Sequence, residues 1–160
     1  MINNILFICI GNICRSPMAE GLFSQALPQK QVFSAGIDAL VGQPADASSI
    51  QLMAERGIDI STHRARKLVS WMVYEADVIV TMDRYQKHFL EVTYPDFKNK
   101  FCRLGEFEDY DIPDPYLQGL SAFKQSCSLI DKGVDELVTR IGHIGKESKL
   151  NDMEILQDHP

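Results

Sequence analysis

The fold is decided near the start of the chain, by the stretch Ile5-Leu-Phe-Ile-Cys9-Ile-Gly-Asn-Ile-Cys-Arg15-Ser16-Pro17. Its first five residues are apolar, which is typical of a strand that is buried on both faces of a sheet. Ser16 and Pro17 are residue types that open helices, Ser16 as a cap and Pro17 at the first helical position. A short loop therefore joins a buried strand to a helix, and this arrangement begins a parallel α/β sheet.

The same alternation of strands and helices continues along the chain. Three further apolar runs predict strands: Gln31–Ser34, Ala76–Met82 and Phe101–Leu104. Between them, Asp46 is expected to cap a helix that stops at Gly57, and another helix is expected over residues 83–92. Parallel sheets bind ligands beyond the carboxyl ends of their strands, so the loops that follow the strands are where chemistry is expected.

A long apolar seam predicts the last helix. Its members recur at spacings of three and four residues: Phe123, Cys127, Ile130, Val134, Leu137, Ile141 and Ile144. We therefore expect one α/β domain over residues 1–145, a four-stranded parallel sheet with helices on both faces. Residues 146–160 are polar, and we expect them to form a weakly docked tail.

Composition and charge exclude several classes of protein. The chain has 160 residues, 45% of them apolar, and a formal charge of −6. No apolar run is long enough for a membrane span, and the acidic balance argues against a nucleic-acid partner. The basic cluster of residues 64–67 is short enough to be a solvated face. Residues 1–100 carry ten acidic and ten basic side chains, so the acidic excess lies entirely in residues 101–160.

The cysteines and histidines indicate no metal site. The chain has four of each, and the cysteines are Cys9, Cys14, Cys102 and Cys127. None of them forms the paired Cys-x-x-Cys motifs of a zinc site, so we expect neither a metal nor another cofactor. Because no export signal precedes the first strand, we expect a cytoplasmic chain with reduced thiols.

The loop after the first strand has the composition of an anion site. A helix N-terminus offers unpaired N–H groups and the positive end of its dipole, and Gly11 allows the tight turn that such a loop needs. Arg15 adds a planar fork that holds two phosphate oxygens at once. The same positive field stabilises a thiolate at Cys9, and Ser16 is placed to donate a hydrogen bond to its sulfur. An anion cradle with a nucleophile at its floor predicts phosphoryl transfer to cysteine.

A second loop supplies an acid for this chemistry. Residues 106–116, the acid loop, contain five carboxylates. Most of these are expected to be solvated, because any loop of this composition faces water. Asp114 differs because Pro113 and Pro115 restrict its backbone and an aromatic residue follows. The residue types favour Asp114 over Asp111 as a proton donor, but leave both open.

These segments together resemble the low-molecular-weight protein tyrosine phosphatases, in particular the bacterial type associated with exopolysaccharide and capsule export. The motifs that carry the resemblance are Cys9-Ile-Gly-Asn-Ile-Cys-Arg15-Ser16-Pro17, Ser34-Ala-Gly36, His63-Arg-Ala-Arg66, Val80-Thr-Met-Asp83 and Asp114-Pro-Tyr116. The resemblance implies a metal-free, two-step hydrolysis of phosphotyrosine. Cys9 attacks phosphorus, Arg15 and the amides of the loop hold the phosphate oxygens, and Asp114 serves first as acid and then as base.

The resemblance also implies supporting roles. The phosphate-binding loop comprises Ile10, Gly11, Asn12, Ile13, Cys14 and Arg15, and its supports are Asn12, Ser16, Ser34 and His63. Leu40 and Tyr116 form the walls of the substrate slot, and Leu40 stands where eukaryotic members have an aromatic residue. The resemblance also implies that Cys14 can act as the redox partner of Cys9 through a reversible disulfide, and the alternative is a buried loop cysteine with no redox role. From the residues alone, Ser34 is a strand end and His63 an exposed loop histidine.

The resemblance implies a phosphotyrosine protein as the partner, an autophosphorylated bacterial tyrosine kinase. We also expect a monomer that neither binds nucleic acid nor inserts into a membrane. One alternative is a thiol-dependent arsenate reductase of the same fold, which needs further cysteines on a segment after the third strand, and residues 75–92 contain none. Another is a phosphate-binding module without catalysis, which would need neither Cys9 nor Asp114.

Overall fold

Four parallel strands form one sheet in the order β2-β1-β3-β4 in the computed structural model, which describes residues 1–144. The strands are β1 (Asn4–Cys9), β2 (Gln31–Gly36), β3 (Val78–Thr81) and β4 (Phe101–Arg103). Ile5 pairs with Val32 on one side and with Val78 on the other, so β1 lies inside the sheet. All four predicted strands are confirmed, and the strand predicted over residues 31–34 extends to residue 36.

Helices cover both faces of this sheet, as predicted. They are α1 (Arg15–Ala26), α2 (Ala47–Ala54), α3 (Ser70–Glu75), α4 (Arg84–Thr93) and α5 (Leu120–Ile144). Alternate residues of β1 face opposite layers: Phe7 packs with residues of α1 and α5, whereas Leu6 packs with residues of α3 and α4. Both layers are apolar, which explains why β1 and β3 have continuous hydrophobic sequences.

Two elements carried no usable sequence signal. Helix α3 has only six residues, too few for a helical period to be recognised, and the sequence predicted no helix there. A 3₁₀ helix over Pro95–Lys100 was also missed. Both lie in the connections that flank β3, where tertiary packing rather than local propensity fixes the backbone.

The capping predictions had mixed outcomes. Asp46 caps α2 as predicted, because its side chain accepts a hydrogen bond from the amide of Ser48 at 2.9 Å. The expected cap at Ser16 is wrong: α1 begins at Arg15, and Cys14 occupies the cap position without a side-chain bond. Ser16 is buried inside the first turn, so its hydroxyl is available for the site instead.

The predicted seam of α5 is buried from Phe123 to Ile141. The side chain of Ile144 and the tail expected over residues 146–160 lie outside what the structure describes. Among residues 1–144, no helix combines the length and apolar character that a membrane crossing requires.

The sheet brings the site together at the carboxyl ends of its strands. β1 ends at Cys9, β2 ends beside it at Gly36, and Thr81 at the end of β3 pairs with Arg103 of β4. Gly36 must be glycine, because a Cβ atom there would lie 2.4 Å from the carbonyl oxygen of Ile10. This close approach lets the end of β2 support the loop that follows β1.

Candidate active site

The loop between β1 and α1 has its carbonyl groups turned outward. Six consecutive carbonyl oxygens, those of residues 9–14, accept hydrogen bonds from groups outside the loop. In order along the loop, the donors are the amides of Ile37, Asp38 and Leu40, the ring Nε2 of His63, the amide of Asp46 and the hydroxyl of Ser49, at 2.7–3.2 Å. In a planar trans peptide the N–H points opposite to the carbonyl. The amides of residues 10–15 are therefore directed to the inside of the loop, where an anion would lie.

Asn12 is the buried centre of this arrangement. Its backbone has a φ of 57°, in the left-handed region where asparagine is among the few side chains tolerated. Its Nδ2 donates to the hydroxyls of Ser16 at 2.8 Å and Ser34 at 3.0 Å, and its Oδ1 accepts from the amide of Arg66 at 3.0 Å. The side chain thus links the loop to α1, to β2 and to the segment that precedes α3.

Glu20 completes the network, and the sequence did not predict it. Its Oε2 accepts a hydrogen bond from Ser34 Oγ at 2.7 Å and lies 3.8 Å from Nδ1 of His63. The other ring nitrogen of His63 reaches the carbonyl of Asn12, so His63 is not the exposed histidine that the residues alone indicated. The one sequence signal for Glu20 was a carboxylate among the apolar residues of α1.

Cys9 lies at the floor of the loop beside a hydroxyl donor. Its Sγ is 2.9 Å from Ser16 Oγ, and the thiol is almost fully buried. Because Ser16 Oγ already accepts from Asn12, its own hydrogen is free to point at the sulfur. A sulfur that accepts a hydroxyl hydrogen in this way is stabilised in its anionic form.

Cys14 has a different environment within the same loop. Burial, together with the nearby negative charge of Asp46, raises the pKa of its thiol well above the ordinary value. Cys14 is therefore a protonated thiol at neutral pH. Its role as a redox partner of Cys9 stays a prediction.

Arg15 is a buried guanidinium whose donors are only partly used by the protein. Only 2% of the residue is exposed, and Nη1 donates to the carbonyl of Ile112 at 2.8 Å and to Asp83 Oδ2 at 3.3 Å. Its Nε is buried and finds no hydrogen-bond partner among the residues described. Unsatisfied buried donors are uncommon. Here the donor belongs to a residue that lines the cleft, where an anion would satisfy it. Asp83 was not among the predicted site residues.

The two candidate acids have different surroundings. Asp114 is half exposed, its Oδ1 accepts from the amide of Tyr116 at 3.1 Å, and its Oδ2 lies 3.7 Å from Arg15 Nη2. Asp111 instead accepts hydrogen bonds from Arg103 Nη1 at 2.8 Å and from Arg84 Nε at 3.2 Å. Its carboxylate is therefore engaged in ion pairs that Asp114 does not share.

A cleft of about 190 Å³ brings most of the predicted site residues together. Its lining comprises Cys9, Ile10, Gly11, Ile13, Cys14, Arg15, Asp38, Leu40, Asp114 and Tyr116. Leu40 and Tyr116 are each about 40% exposed and present apolar surface at the mouth. Asn12, Ser16, Ser34 and His63 lie behind the loop and support it from the other side.

A known protein family matches this chain over nearly its whole length. The family model described as low molecular weight phosphotyrosine protein phosphatase matches residues 4–149. The chain belongs to this family. Its enzyme class is protein-tyrosine-phosphatase, a phosphoric monoester hydrolase.

Relatives of this phosphatase are known as sequences and as structures. It is 50% identical to the probable low molecular weight protein-tyrosine-phosphatase EpsP of Ralstonia nicotianae, over 91% of this chain and all of that one. Wzb of Vibrio vulnificus, solved with benzylphosphonate, superposes with a TM-score of 0.84 at 36% identity and covers 88% of this chain and 99% of its own. YwlE arginine phosphatase of Geobacillus stearothermophilus has a TM-score of 0.85 at 29% identity, over 93% and 99% of the two chains.

Two substitutions of Asn12 should separate the contribution of its side-chain hydrogen bonds from that of its left-handed backbone. Asn12→Gly keeps the positive φ but removes the side-chain bonds, so the inhibition constant of inorganic phosphate should rise about tenfold. Asn12→Ala adds the strain of the left-handed backbone, and should unfold in urea with about 1 kcal/mol less free energy than Asn12→Gly. Asn99→Ala, at an exposed position, serves as the control. An Asn12→Gly phosphatase that bound phosphate like the wild type would contradict this role.

Proposed function

We propose that this phosphatase hydrolyses phosphotyrosine through a phosphocysteine intermediate on Cys9. The observation that carries the proposal is the position of the Cys9 sulfur at the floor of a loop whose carbonyls of residues 9–14 are all bonded outward. The inward amides and the unused Nε of Arg15 form a cradle for the three phosphate oxygens that do not leave. These donors are fixed before the substrate binds, so they need no reorganisation during the reaction.

In the first step the Cys9 thiolate attacks phosphorus, and the bond from phosphorus to the tyrosine oxygen breaks. The leaving phenolate is a strong base, because tyrosine has an ordinary pKa of about 10. Asp114 in its protonated form donates a proton to that oxygen, and tyrosine leaves as a neutral phenol. The half-exposed carboxyl of Asp114 lines the same cleft as the sulfur and lies near Arg15, which supports this role over Asp111.

In the second step water hydrolyses the phosphocysteine. The Asp114 carboxylate accepts a proton from the water, its oxygen attacks phosphorus, and the bond from phosphorus to sulfur breaks. The sulfur leaves as a thiolate, which the hydroxyl of Ser16 at 2.9 Å stabilises. Asp114 is again protonated and inorganic phosphate departs, so the net reaction consumes one water. No residue in this scheme requires a metal or a cofactor.

The substrate slot suits an aromatic ring. Leu40 and Tyr116 provide apolar surface on a narrow cleft with the nucleophile at its floor, which favours an aryl phosphate over a short aliphatic one. The resemblance places Leu40 where eukaryotic members have an aromatic wall, so we expect a more open slot in this chain. A phosphotyrosine that protrudes from a flexible protein segment would enter it without close matching of its neighbours.

We further propose that the partner is an autophosphorylated bacterial tyrosine kinase that controls exopolysaccharide, and that the phosphatase acts as a cytoplasmic monomer. The similarity to EpsP and Wzb supports the partner. All four cysteines are free thiols, which supports a reducing compartment. Cys102 and Cys127 are buried in β4 and α5, an unfavourable setting for the thiol relay of an arsenate reductase.

The role of Asp114 predicts a dependence on the leaving group. Asp114→Asn should lower kcat/KM for phosphotyrosine by about 10² to 10⁴-fold, and much less for dinitrophenyl phosphate, whose acidic phenol leaves without a proton. Cys9→Ser should abolish turnover of both substrates, whereas Cys127→Ser and Asp96→Asn serve as folded controls. The assignment is wrong if Asp111→Asn shows the larger leaving-group effect. Two further substrates complete the panel: phosphoarginine, and arsenate supplied with thioredoxin. If the enzyme turned over either of them faster than phosphotyrosine, that compound would be assigned as the substrate instead.

The proposed partner predicts selective capture. Cys9→Ser should bind a purified autophosphorylated kinase of the exopolysaccharide type and should not bind its unphosphorylated form, because the phosphate supplies most of the contact with the cradle. Adding Arg15→Met to Cys9→Ser should abolish this binding, measured by surface plasmon resonance. The wild type should remove the kinase's phosphate in a time course. If the wild type left the kinase phosphorylated while hydrolysing phosphotyrosine peptides, the proposed partner would be wrong, but the proposed hydrolysis of phosphotyrosine would still hold.

A further inference from the structure

A second buried guanidinium, that of Arg103, lies behind the acid loop. Arg103 is the last residue of β4 and only 7% exposed. Each of its three nitrogens reaches a different carboxylate of the acid loop: Nε lies 2.9 Å from Glu106, Nη2 lies 2.6 Å from Asp109, and Nη1 lies 2.8 Å from Asp111. The planar guanidinium of an arginine directs its fixed donors to three acceptors at once. The ammonium group of a lysine would not reproduce this arrangement.

Helix α4 adds two further cations to this cluster. Lys87 Nζ lies 2.6 Å from Glu106 Oε1, and Arg84 Nε lies 3.2 Å from Asp111 Oδ2. Burial opposes the charged form of both carboxyls. The bonds and charges of Lys87 and Arg103 nevertheless hold the pKa of Glu106 below the ordinary value, and those of Arg103 and Arg84 do the same for the pKa of Asp111. Both groups are therefore charged at neutral pH. The bonds tie the acid loop to β4 and α4 at once.

The anchored part of the loop leads directly to the catalytic groups. Ile112 follows Asp111, and its amide donates to the carbonyl of Met82 at 2.9 Å while its own carbonyl accepts from Arg15. The carbonyl of Pro113 then accepts from the hydroxyl of Ser126 at 2.7 Å. Asp114 comes next, and its carboxylate contacts Arg15 and accepts a hydrogen bond from the amide of Tyr116. Its place in the cleft therefore depends on the backbone that precedes it.

We propose that Arg103 is a positioning residue for the acid step: by fixing Asp111, it fixes the backbone of residues 112–114 and so the reach of the Asp114 carboxyl to the leaving oxygen. Arg103 touches neither the cleft lining nor the sulfur, so its effect is indirect. The inference rests on the proposed role of Asp114. A displacement of about 1 Å at that carboxyl would impair proton transfer and leave attack by the sulfur unaffected.

The test compares Arg103→Met with Lys132→Met. Lys132 also pairs with a carboxylate of the acid loop, Glu108, but that pair is exposed and contributes little. Arg103→Met should lower kcat/KM about 10 to 100-fold for phosphotyrosine and less than about threefold for dinitrophenyl phosphate, with phosphate inhibition unchanged. Lys132→Met should match the wild type on both substrates. Equal losses on both substrates for Arg103→Met would mean a purely structural role and would overturn the inference.

A double-mutant cycle separates this inference from the proposed function. In an Asp114→Asn background, Arg103→Met should cause no further loss that depends on the leaving group, because the group it positions is already absent. A full additional loss there would overturn the positioning role. If Asp114→Asn alone showed no leaving-group effect, the proposed function would fail instead. Arg103→Lys provides a second variant should Arg103→Met fail to fold, and it should give an intermediate leaving-group effect.

Discussion

Six peptide carbonyls between Cys9 and Cys14 accept hydrogen bonds from groups outside their own loop, and the rest of the site depends on this. A peptide unit that gives its carbonyl to the scaffold must turn its amide the other way. The donors come from the residues that follow β2, from the segment before α2, from α2 itself and from His63. The parallel sheet matters to function because it brings these separate segments to one edge. Asn12, with its positive φ and three side-chain bonds, holds the shape at the centre.

Two buried arginines show that the same type of side chain can have two different roles. Arg103 has a carboxylate partner on each of its three nitrogens, so its positive charge is neutralised within the fold. Arg15 is also buried, but its Nε has no partner among residues 1–144 and its nearest carboxylates lie at 3.3 and 3.7 Å. The first arrangement stabilises a loop, and the second leaves a donor for an anion. The acidic excess in residues 101–160 includes carboxylates that Arg103 binds, and is therefore compatible with an anionic substrate.

The sequence was most informative where function and structure are local. The stretch over residues 5–17 contains a strand, a phosphate loop and a helix start within one continuous pattern, and the cap at Asp46 also followed from residue type. Contacts between distant segments could not be predicted in this way. Ser34 and His63 gained their roles only through the family resemblance, since 22 and 51 residues separate them from Asn12. Glu20 offered only a carboxylate among the apolar residues of α1, and the Arg103 cluster had no sequence pattern at all, because their partners are set by how the sheet and helices pack.

The central claim is that the amides of residues 10–15 form the phosphate site, and amide NMR tests it most directly. The phosphatase, labelled with ¹⁵N, would be titrated with inorganic phosphate at neutral pH. The account predicts that the largest ¹H–¹⁵N shift changes fall on these six amides and saturate at the inhibition constant of phosphate. The same titration of Arg15→Met should leave them unchanged. Saturable phosphate binding with its largest shifts elsewhere would contradict the account.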